Sequence, residues 1–319
     1  MHWPQKLRVA ELQRIKGALL LAVIAATAFT AACSSRDSAA FSSSTTAAAA
    51  DTDDFGARIS HDSAVGARVI SLVPAATEII FAIGRGSRLV GRTTWDLYPD
   101  SARQVPNVGD GMRPNVEIVL AAKPTLVVIY ASAENRAAAA SFTKAGIAVL
   151  AIRVDRIADF GRLTKILGSL LGATDRARNV VDSVTGTLNN VRAAVVGTVR
   201  PTVVWPLWDA PVLVVGSGSF LAELLDIAGG KNAFADLDKP SPEVSVEEIA
   251  HRNPALVVAS PLSIKRLAMS PQWQSVKAIR DKQFREIDTV VVGRPTVTLG
   301  MAAVSLAKLL HPERAAGLP

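Results

Sequence analysis

The stretch Asn115-Val116-Glu117-Ile118 recurs in similar form 130 residues later as Ser245-Val246-Glu247-Glu248-Ile249. In each copy a capping residue opens a helix and an acid occupies its first turn. A proline then ends the helix and a short apolar run follows it: Lys123-Pro124 before Leu126-Val127-Val128, and Asn253-Pro254 before Leu256-Val257-Val258. A helix-to-strand unit that occurs twice predicts two similar lobes.

Short, continuous apolar runs predict buried strands in both halves of the chain. Besides the two runs above, they are Val69-Ile70-Ser71-Leu72-Val73, Ala148-Val149-Leu150-Ala151-Ile152, Thr202-Val203-Val204-Trp205 and Val212-Leu213-Val214-Val215. Helical stretches separate them, which is typical of sheets covered on both faces. The predicted fold class is α/β, and about 250 residues, 67–313, are enough for two Rossmann-like lobes that each bury a core.

A long helix is predicted between the two copies. Residues 125–200 contain no proline, and apolar residues fall on one helical stripe, at Ala177, Val180, Val181, Val184, Leu188, Val191 and Val195. A helix over residues 174–196 is about 33 Å long, the scale of a lobe. We therefore expect a rigid helical connector (156–197) between an N-terminal lobe (67–155) and a C-terminal lobe (198–316), with less hinge motion than flexible crossover strands would allow.

The first 32 residues have the features of a secretory signal peptide. Basic residues precede an apolar stretch, 17–29, that is shorter than the roughly 20 residues needed to span a bilayer. The following Thr30-Ala31-Ala32-Cys33 resembles the bacterial lipobox, in which the cysteine becomes the lipidated first residue of the mature protein. This resemblance implies an exported, membrane-anchored lipoprotein with its lipid on Cys33. The alternative is an ordinary signal peptide cut near Ala32, with Cys33 a free thiol.

Residues 33–66 are predicted to be a flexible tether. Ser, Ala, Thr and Asp dominate this segment, and almost nothing large and apolar is present to build a core. The globular part is expected to start near Ala67.

Charge and motif content argue against a nucleic-acid partner and against catalysis. Without residues 1–32 the chain keeps 31 basic and 27 acidic residues, with no basic run interleaved with aromatics. The histidines are scattered, at His2, His61, His251 and His311, and they suggest no metal site. Gly216-Ser217-Gly218-Ser219 lacks the lysine of a phosphate-binding loop. We therefore expect no catalytic residues, metal or cofactor.

A family resemblance runs in order along nearly all of residues 67–313. It is carried by residues 68–84, 91–99, 105–109, 123–128, 224–232, 242–247, 253–258 and 278–280. Together these segments resemble the periplasmic cobalamin- and iron-siderophore-binding proteins, the class III substrate-binding components of ABC importers. The resemblance implies two α/β lobes bridged by one long helix, a small-molecule cargo held in the cleft between them, and an ABC permease dimer as partner.

The loops at the strand ends are expected to supply the cleft, because ligand pockets concentrate between domains. In the first lobe these are residues 74–77, 93–98, 109–113 and 130–135, and in the second they are residues 205–209, 216–219, 239–243 and 260–261. Aromatic rings bury a large area with little entropy loss, which suits a flat, bulky cargo. The candidate ligand-binding residues are Trp95, Tyr98, Trp205 and Trp208, together with Arg113 for an anionic cargo.

Three of these candidates have an alternative role. Trp205 ends a strand and could pack in the core, Tyr98 could brace the turn before Pro99, and Arg113 could be a solvated side chain. Trp208 is predicted to lie in a loop. Trp95 is predicted to lie among residues that face solvent, namely Thr93, Thr94 and Asp96.

The resemblance narrows the cargo to a few chemical classes. Some members of the family place tryptophan near the positions held here by Gly111 and Ser241, so an aromatic clamp would be differently placed in this chain. A cobalamin-like corrinoid is the leading expectation, and a ferric siderophore or haem is the alternative within the family. The less favoured alternatives are a sensory lipoprotein that does not take part in transport and an enzyme.

Glu117 and Glu247, the matching acids of the repeated unit, have two possible uses. In the family, one surface glutamate per lobe docks onto arginines of the permease, and these two residues fall at those positions. Stabilisation of a helix N-terminus, typically by about 0.3 to 1 kcal/mol, explains an acid there without any partner. The two roles are compatible.

Overall fold

Four parallel strands form the first sheet of the computed structural model, which describes residues 52–59 and 66–318. They are β1 (Val69–Ser71), β2 (Leu89–Gly91), β3 (Leu126–Tyr130) and β4 (Ala148–Ile152), in the order β2-β1-β3-β4. The helices of this half are α1 (Pro74–Ala82), α2 (Val116–Ala121), α3 (Arg136–Lys144) and α4 (Ile157–Leu170). We call this sheet with α1–α3 the first lobe.

A second sheet of four parallel strands lies beyond helix α5 (Thr174–Ala194). Its strands are β5 (Thr202–Val204), β8 (Lys231–Asn232), β9 (Leu256–Ala259) and β10 (Phe284–Glu286), in the order β10-β9-β5-β8. An antiparallel hairpin of β6 (Pro206–Asp209) and β7 (Val212–Val214) follows β5. The helices here are α6 (Phe220–Ile227), α7 (Val246–Arg252), α8 (Pro261–Met269), α9 (Lys277–Arg280), α10 (Thr289–Val292) and α11 (Leu299–Leu310). We call β5–β10 with α6–α11 the second lobe.

The repeated unit forms the same local structure in both lobes. The Asn115 side chain accepts a hydrogen bond from Ile118 N at 3.1 Å, and the Ser245 hydroxyl accepts one from Glu248 N at 3.1 Å. These caps open α2 and α7, which lead into β3 and β9. The residue before each proline is left-handed, with φ of 50° at Lys123 and 46° at Asn253. Proline disfavours the right-handed helical conformation at that position, which explains why both helices end there.

Helix α5 packs between α4 and the second lobe. It contacts α4, which follows the last strand of the first sheet, and it contacts α6 and α11 of the second lobe. Its buried residues are Ala177, Val184, Leu188 and Val191, all on the predicted stripe. They belong to one hydrophobic cluster that runs from β1 and β3 of the first sheet to β5 and β9 of the second. A continuous core across the junction supports a stiff connection, because packed interiors resist deformation.

Residues 52–59 depart from the prediction of a tether up to residue 66. The Asp53 carboxylate accepts a hydrogen bond from Ala151 N at 3.0 Å, and Asp54 N donates to Ala151 O at 2.8 Å. Phe55 packs under the Arg136 guanidinium, 4.3 Å from the ring centre. Since β4 is an edge strand with unpaired backbone groups, these residues cover it. The prediction was wrong here because it weighed only apolar content, whereas the contacts are largely polar.

No helix within residues 52–59 and 66–318 is long and apolar enough to cross a membrane. The predicted signal peptide and Cys33 lie outside these residues.

Candidate ligand-binding site

A pocket of about 360 Å³ opens at the carboxyl ends of β1 and β3. The strand order reverses between these two strands, and crevices at such a switch point are where open parallel sheets bind ligands. Most of the lining residues lie in the first-lobe loops predicted from the sequence. The lining residues are Leu72, Val73, Pro74, Thr93, Trp95, Asp110, Gly111, Met112, Tyr130, Ser132 and Asn135.

One wall of the pocket depends on a close backbone approach at Gly111. A Cβ atom on this residue would lie 2.1 Å from Leu72 O and 3.0 Å from Thr93 Cγ2. The position therefore has no room for the tryptophan that some family members carry nearby. Met112, the next residue, is exposed and lines the pocket instead.

The turn that carries Trp95 is built around a buried carboxylate. Asp96 accepts hydrogen bonds from Thr93 N, at 2.8 Å, and from the Thr93 hydroxyl. Trp95 N donates to the same hydroxyl oxygen at 3.1 Å. Burial raises the pKa of Asp96, against the lowering effect of hydrogen bonds from Thr77 and Thr93. The turn holds the Trp95 ring at the pocket, with 59% of its surface exposed.

The prediction that Thr93 and Asp96 face solvent was wrong, because both are fully buried, while Thr94 is exposed as predicted. The spacing of Thr93 and Asp96 was a usable signal. Threonine and aspartate three residues apart commonly bond to each other's backbone and side chains in a tight turn.

Two polar residues at the end of β3 and in the loop after it form hydrogen bonds within the protein. The Tyr130 hydroxyl donates to Asp155 Oδ1 at 2.8 Å, and burial, followed by this bond, raises the pKa of Tyr130 to about 12. Asn135 is 1% exposed, and its Nδ2 donates to Tyr130 O at 3.0 Å and to Gly111 O at 3.4 Å. Its Oδ1 is buried and has no hydrogen-bond partner among the described residues. The two bonds from Nδ2 tie the end of β3 to the Gly111 wall of the pocket.

The charge of the lining is acidic. Asp110 is its only charged residue, and no arginine or lysine is among the residues that form the wall. The hydroxyls of Thr93 and Tyr130 donate to carboxylates of the protein. The polar part of the pocket therefore offers mainly acceptors, next to an apolar surface made by Leu72, Val73 and Pro74.

The other candidate ligand residues are not among those that line this pocket. Tyr98 and Arg113 are both exposed. Trp205 is 3% exposed and packs in the hydrophobic core, the alternative that the sequence left open. Trp208 is 60% exposed, and its Nε1 donates to Ala210 O at 3.0 Å. Its placement in a loop was wrong, because residues 206–209 form β6 and pair with β7.

The predicted first-lobe loops line this pocket, whereas none of the predicted second-lobe loops does, and several lining side chains were not predicted. The side chains that the prediction missed include Asp110, Met112, Tyr130 and Asn135. Tyr130 and Asn135 carried a signal, since polar residues that follow a buried strand lie at the carboxyl edge of the sheet. Met112 and Asp110 carried none, because exposure in a loop depends on the surrounding fold.

Glu117 and Glu247 are exposed in the first turns of α2 and α7. Among the described residues, neither has an ion-pair partner within 4.0 Å. In the same part of the chain, no group of three or more His, Cys, Asp or Glu side chains is placed to hold a metal ion.

Comparison with known proteins identifies the family. A family model described as "Periplasmic binding protein" matches residues 69–291. An uncharacterised ABC transporter substrate-binding lipoprotein of Bacillus subtilis (strain 168) is 28% identical over 256 residues, covering 77% of this chain and 80% of that protein. A vitamin B12-binding protein of Vibrio vulnificus (strain CMCP6) is 25% identical over 239 residues, covering 75% of this chain and 88% of that protein.

The fold matches solved structures as well. The periplasmic haem-binding protein of Roseiflexus sp. RS-1 superimposes with a TM-score of 0.70 at 23% identity, covering 78% of this chain and 99% of that chain. This likeness confirms the predicted α/β fold of two lobes joined by a long helix. The chain therefore belongs to the periplasmic binding protein family, as its sequence predicts, and it is a binding protein rather than an enzyme.

Proposed function

We propose that this protein is the substrate-binding lipoprotein of an ABC importer and that it captures a cobalamin-like corrinoid for delivery to the permease. The observation that carries the proposal is the pocket at the ends of β1 and β3, with Trp95 at its wall and no cation in its lining. The relatives named above support the transport role, and the vitamin B12-binding relative supports the cargo class. The corrinoid is cargo and not a cofactor.

The chemistry of the lining favours a corrinoid within the family's range. A corrin carries primary amides around its rim, which donate hydrogen bonds, whereas haem carries two propionates and many ferric siderophores are anionic. A wall whose charged residue is Asp110 suits the amide donors and repels carboxylates. The pocket, about 360 Å³, is at the lower end of ligand-pocket volumes. It would hold one edge of the macrocycle, with Trp95 and Met112 against a ring face.

Haem is the second candidate cargo, ahead of a ferric siderophore. Met112 is exposed at the pocket, and a methionine thioether is a known axial ligand of haem iron. Tyr130 is a poor iron ligand here, because its hydroxyl is already engaged in a hydrogen bond to Asp155. The haem-binding structural relative shares the fold, which supports haem as an alternative within the same proposal.

The remaining features are assigned as part of the same proposal. Tyr98, Arg113 and Trp208 are exposed and available to the cargo outside the pocket. Glu117 and Glu247 would dock onto the permease dimer, one from each lobe. Residues 1–32 would be removed, and Cys33 would carry the lipid that keeps the protein on the extracytoplasmic face. The lobe boundaries 67–155 and 198–316, with the connector 156–197, belong to this assignment too.

Titration of a soluble form lacking residues 1–33 tests the cargo. Cyanocobalamin, haem and several ferric siderophores are added while tryptophan fluorescence is followed in the wild type, Trp95→Phe and Trp208→Phe. We expect saturable quenching by cyanocobalamin that Trp95→Phe largely removes. Asp110→Asn, which removes the negative charge of an exposed lining residue, is expected to strengthen the binding of haem relative to that of cyanocobalamin.

Saturable binding of haem alone would move the assignment to the second candidate. Absence of quenching by every compound would refute this pocket as the site of this cargo class. Quenching that survives Trp95→Phe and disappears in Trp208→Phe would move the site to the second lobe.

A further inference from the structure

A cluster of buried polar side chains joins the second lobe to helix α1 of the first. Glu78 on α1 is 4% exposed, and Arg294 Nη1 lies 3.1 Å from its Oε1. The Thr296 hydroxyl donates to the Glu78 Oε2 at 2.7 Å. Arg294 and Thr296 lie in the segment between α10 and α11. Both oxygens of a first-lobe carboxylate are therefore held by the second lobe.

Thr77, the residue that precedes Glu78 on α1, reaches the turn that carries Trp95. Thr77 is fully buried, and its hydroxyl lies against Asp96, whose pKa it lowers in opposition to burial. Among the described residues, the buried Thr77 Oγ1 and Asp96 Oδ1 have no hydrogen-bond partner of normal geometry. Helix α1 thus has the second lobe on its Glu78 side and the Trp95 turn on its Thr77 side.

Arg294 pairs with Glu78, and its charge also acts on Asp96. It lowers the pKa of both carboxyl groups, while the charge of Asp96 raises the pKa of Glu78. Removing one member of a buried charge cluster leaves the rest uncompensated, which is far more costly than losing a surface pair. Without Arg294, the buried Glu78 carboxylate must protonate or move toward water, and such a movement would shift α1 relative to the turn.

The turn transmits a movement of α1 to the pocket. Trp95 N bonds to Thr93 Oγ1, and Thr93 bonds in turn to Asp96. Helix α1 also begins at Pro74, which forms part of the pocket wall. We propose that Arg294 and Thr296 are positioning residues for the pocket, which hold Glu78 and thereby press α1 against the Thr93–Asp96 turn and set the place of Trp95. The proposal rests on the proposed function only in taking this pocket as the cargo site.

The test uses the mature protein in detergent, in a Trp208→Phe background. Trp205 and Trp273 are buried, so Trp95 is then the exposed tryptophan of the described residues. The variants are Arg294→Met, Arg294→Lys, which keeps the charge, and Thr296→Val, which removes only a hydroxyl. Asp226→Asn is the matched control, because it breaks an exposed ion pair with Arg200 elsewhere in the second lobe. Iodide quenching of Trp95 is measured without cargo, and the Kd for cyanocobalamin is measured separately.

We expect Arg294→Met to raise the quenching constant, by up to about 1.7-fold, the ratio of full exposure to the present 59%. It should also weaken the binding of cyanocobalamin and raise the Kd about ten-fold, which is equivalent to roughly 1.4 kcal/mol. Arg294→Lys should change the quenching constant and the Kd less than Arg294→Met does, because it keeps the charge. Thr296→Val should also show smaller changes of the same sign, and Asp226→Asn should match the parent in both measurements.

Unchanged quenching and Kd in Arg294→Met and Thr296→Val, with lowered thermal stability alone, would show a structural role and overturn the proposal. If Arg294→Met does not fold, Thr296→Val decides by the same two measurements. If the parent fails to bind cyanocobalamin, the proposed cargo is refuted, while the change in quenching without cargo still decides the positioning role.

Discussion

Gly111→Ala is expected to damage the pocket and the fold together. The new methyl group would lie 2.1 Å from Leu72 O and 3.0 Å from Thr93 Cγ2. Neither neighbour can yield easily, because Leu72 follows β1 directly and Thr93 is fully buried under the Trp95 turn. Overpacking of this kind typically costs about 1–3 kcal/mol. Since the displaced loop also carries Asp110 and Met112, we expect weaker cargo binding as well.

Urea denaturation followed by circular dichroism measures the free energy of unfolding of this variant. Gly186→Ala is the matched control, because nothing lies within 4 Å of a Cβ at this position in the middle of α5. Alanine is the better helix former by about 1 kcal/mol, so the control should be stabilised. The reasoning is refuted if Gly111→Ala unfolds at the wild-type urea concentration and binds cargo with wild-type affinity.

Two further predictions concern charged residues. The double variant Glu117→Ala/Glu247→Ala should abolish uptake by cells while leaving the cargo Kd unchanged, because both acids are exposed; Asp182→Ala, an exposed acid on α5, should transport normally. A loss of cargo affinity in the double variant would contradict the docking role. Burial raises the pKa of Glu78 above its ordinary value of 4.5, so the stability that protonation contributes is lost as pH rises from 4.5 through the raised pKa. Glu78→Gln cannot titrate, and its free energy of unfolding relative to the wild type should increase over that range; a difference independent of pH in urea titrations would contradict this.

Local signals predicted the fold well because they act over a few residues. The caps at Asn115 and Ser245, the prolines that follow and the apolar stripe of α5 each depend on chain neighbours alone. The same signals failed where burial is decided at long range. Asp96 looked solvent-facing beside Trp95, yet α1 and the Thr93 turn enclose it, and Asp53 looked like part of a tether although it bonds to Ala151.

The α/β class, the repeated unit, the long connecting helix and the first-lobe loops at the pocket could be predicted from the chain alone, because periodicity and capping are local properties of the sequence. The side chains that line the pocket, the burial of Trp205 in the core and the contact of Arg294 with Glu78 across 216 residues follow from tertiary packing. Contacts between residues so far apart depend on how the lobes pack, and no local pattern encodes that geometry.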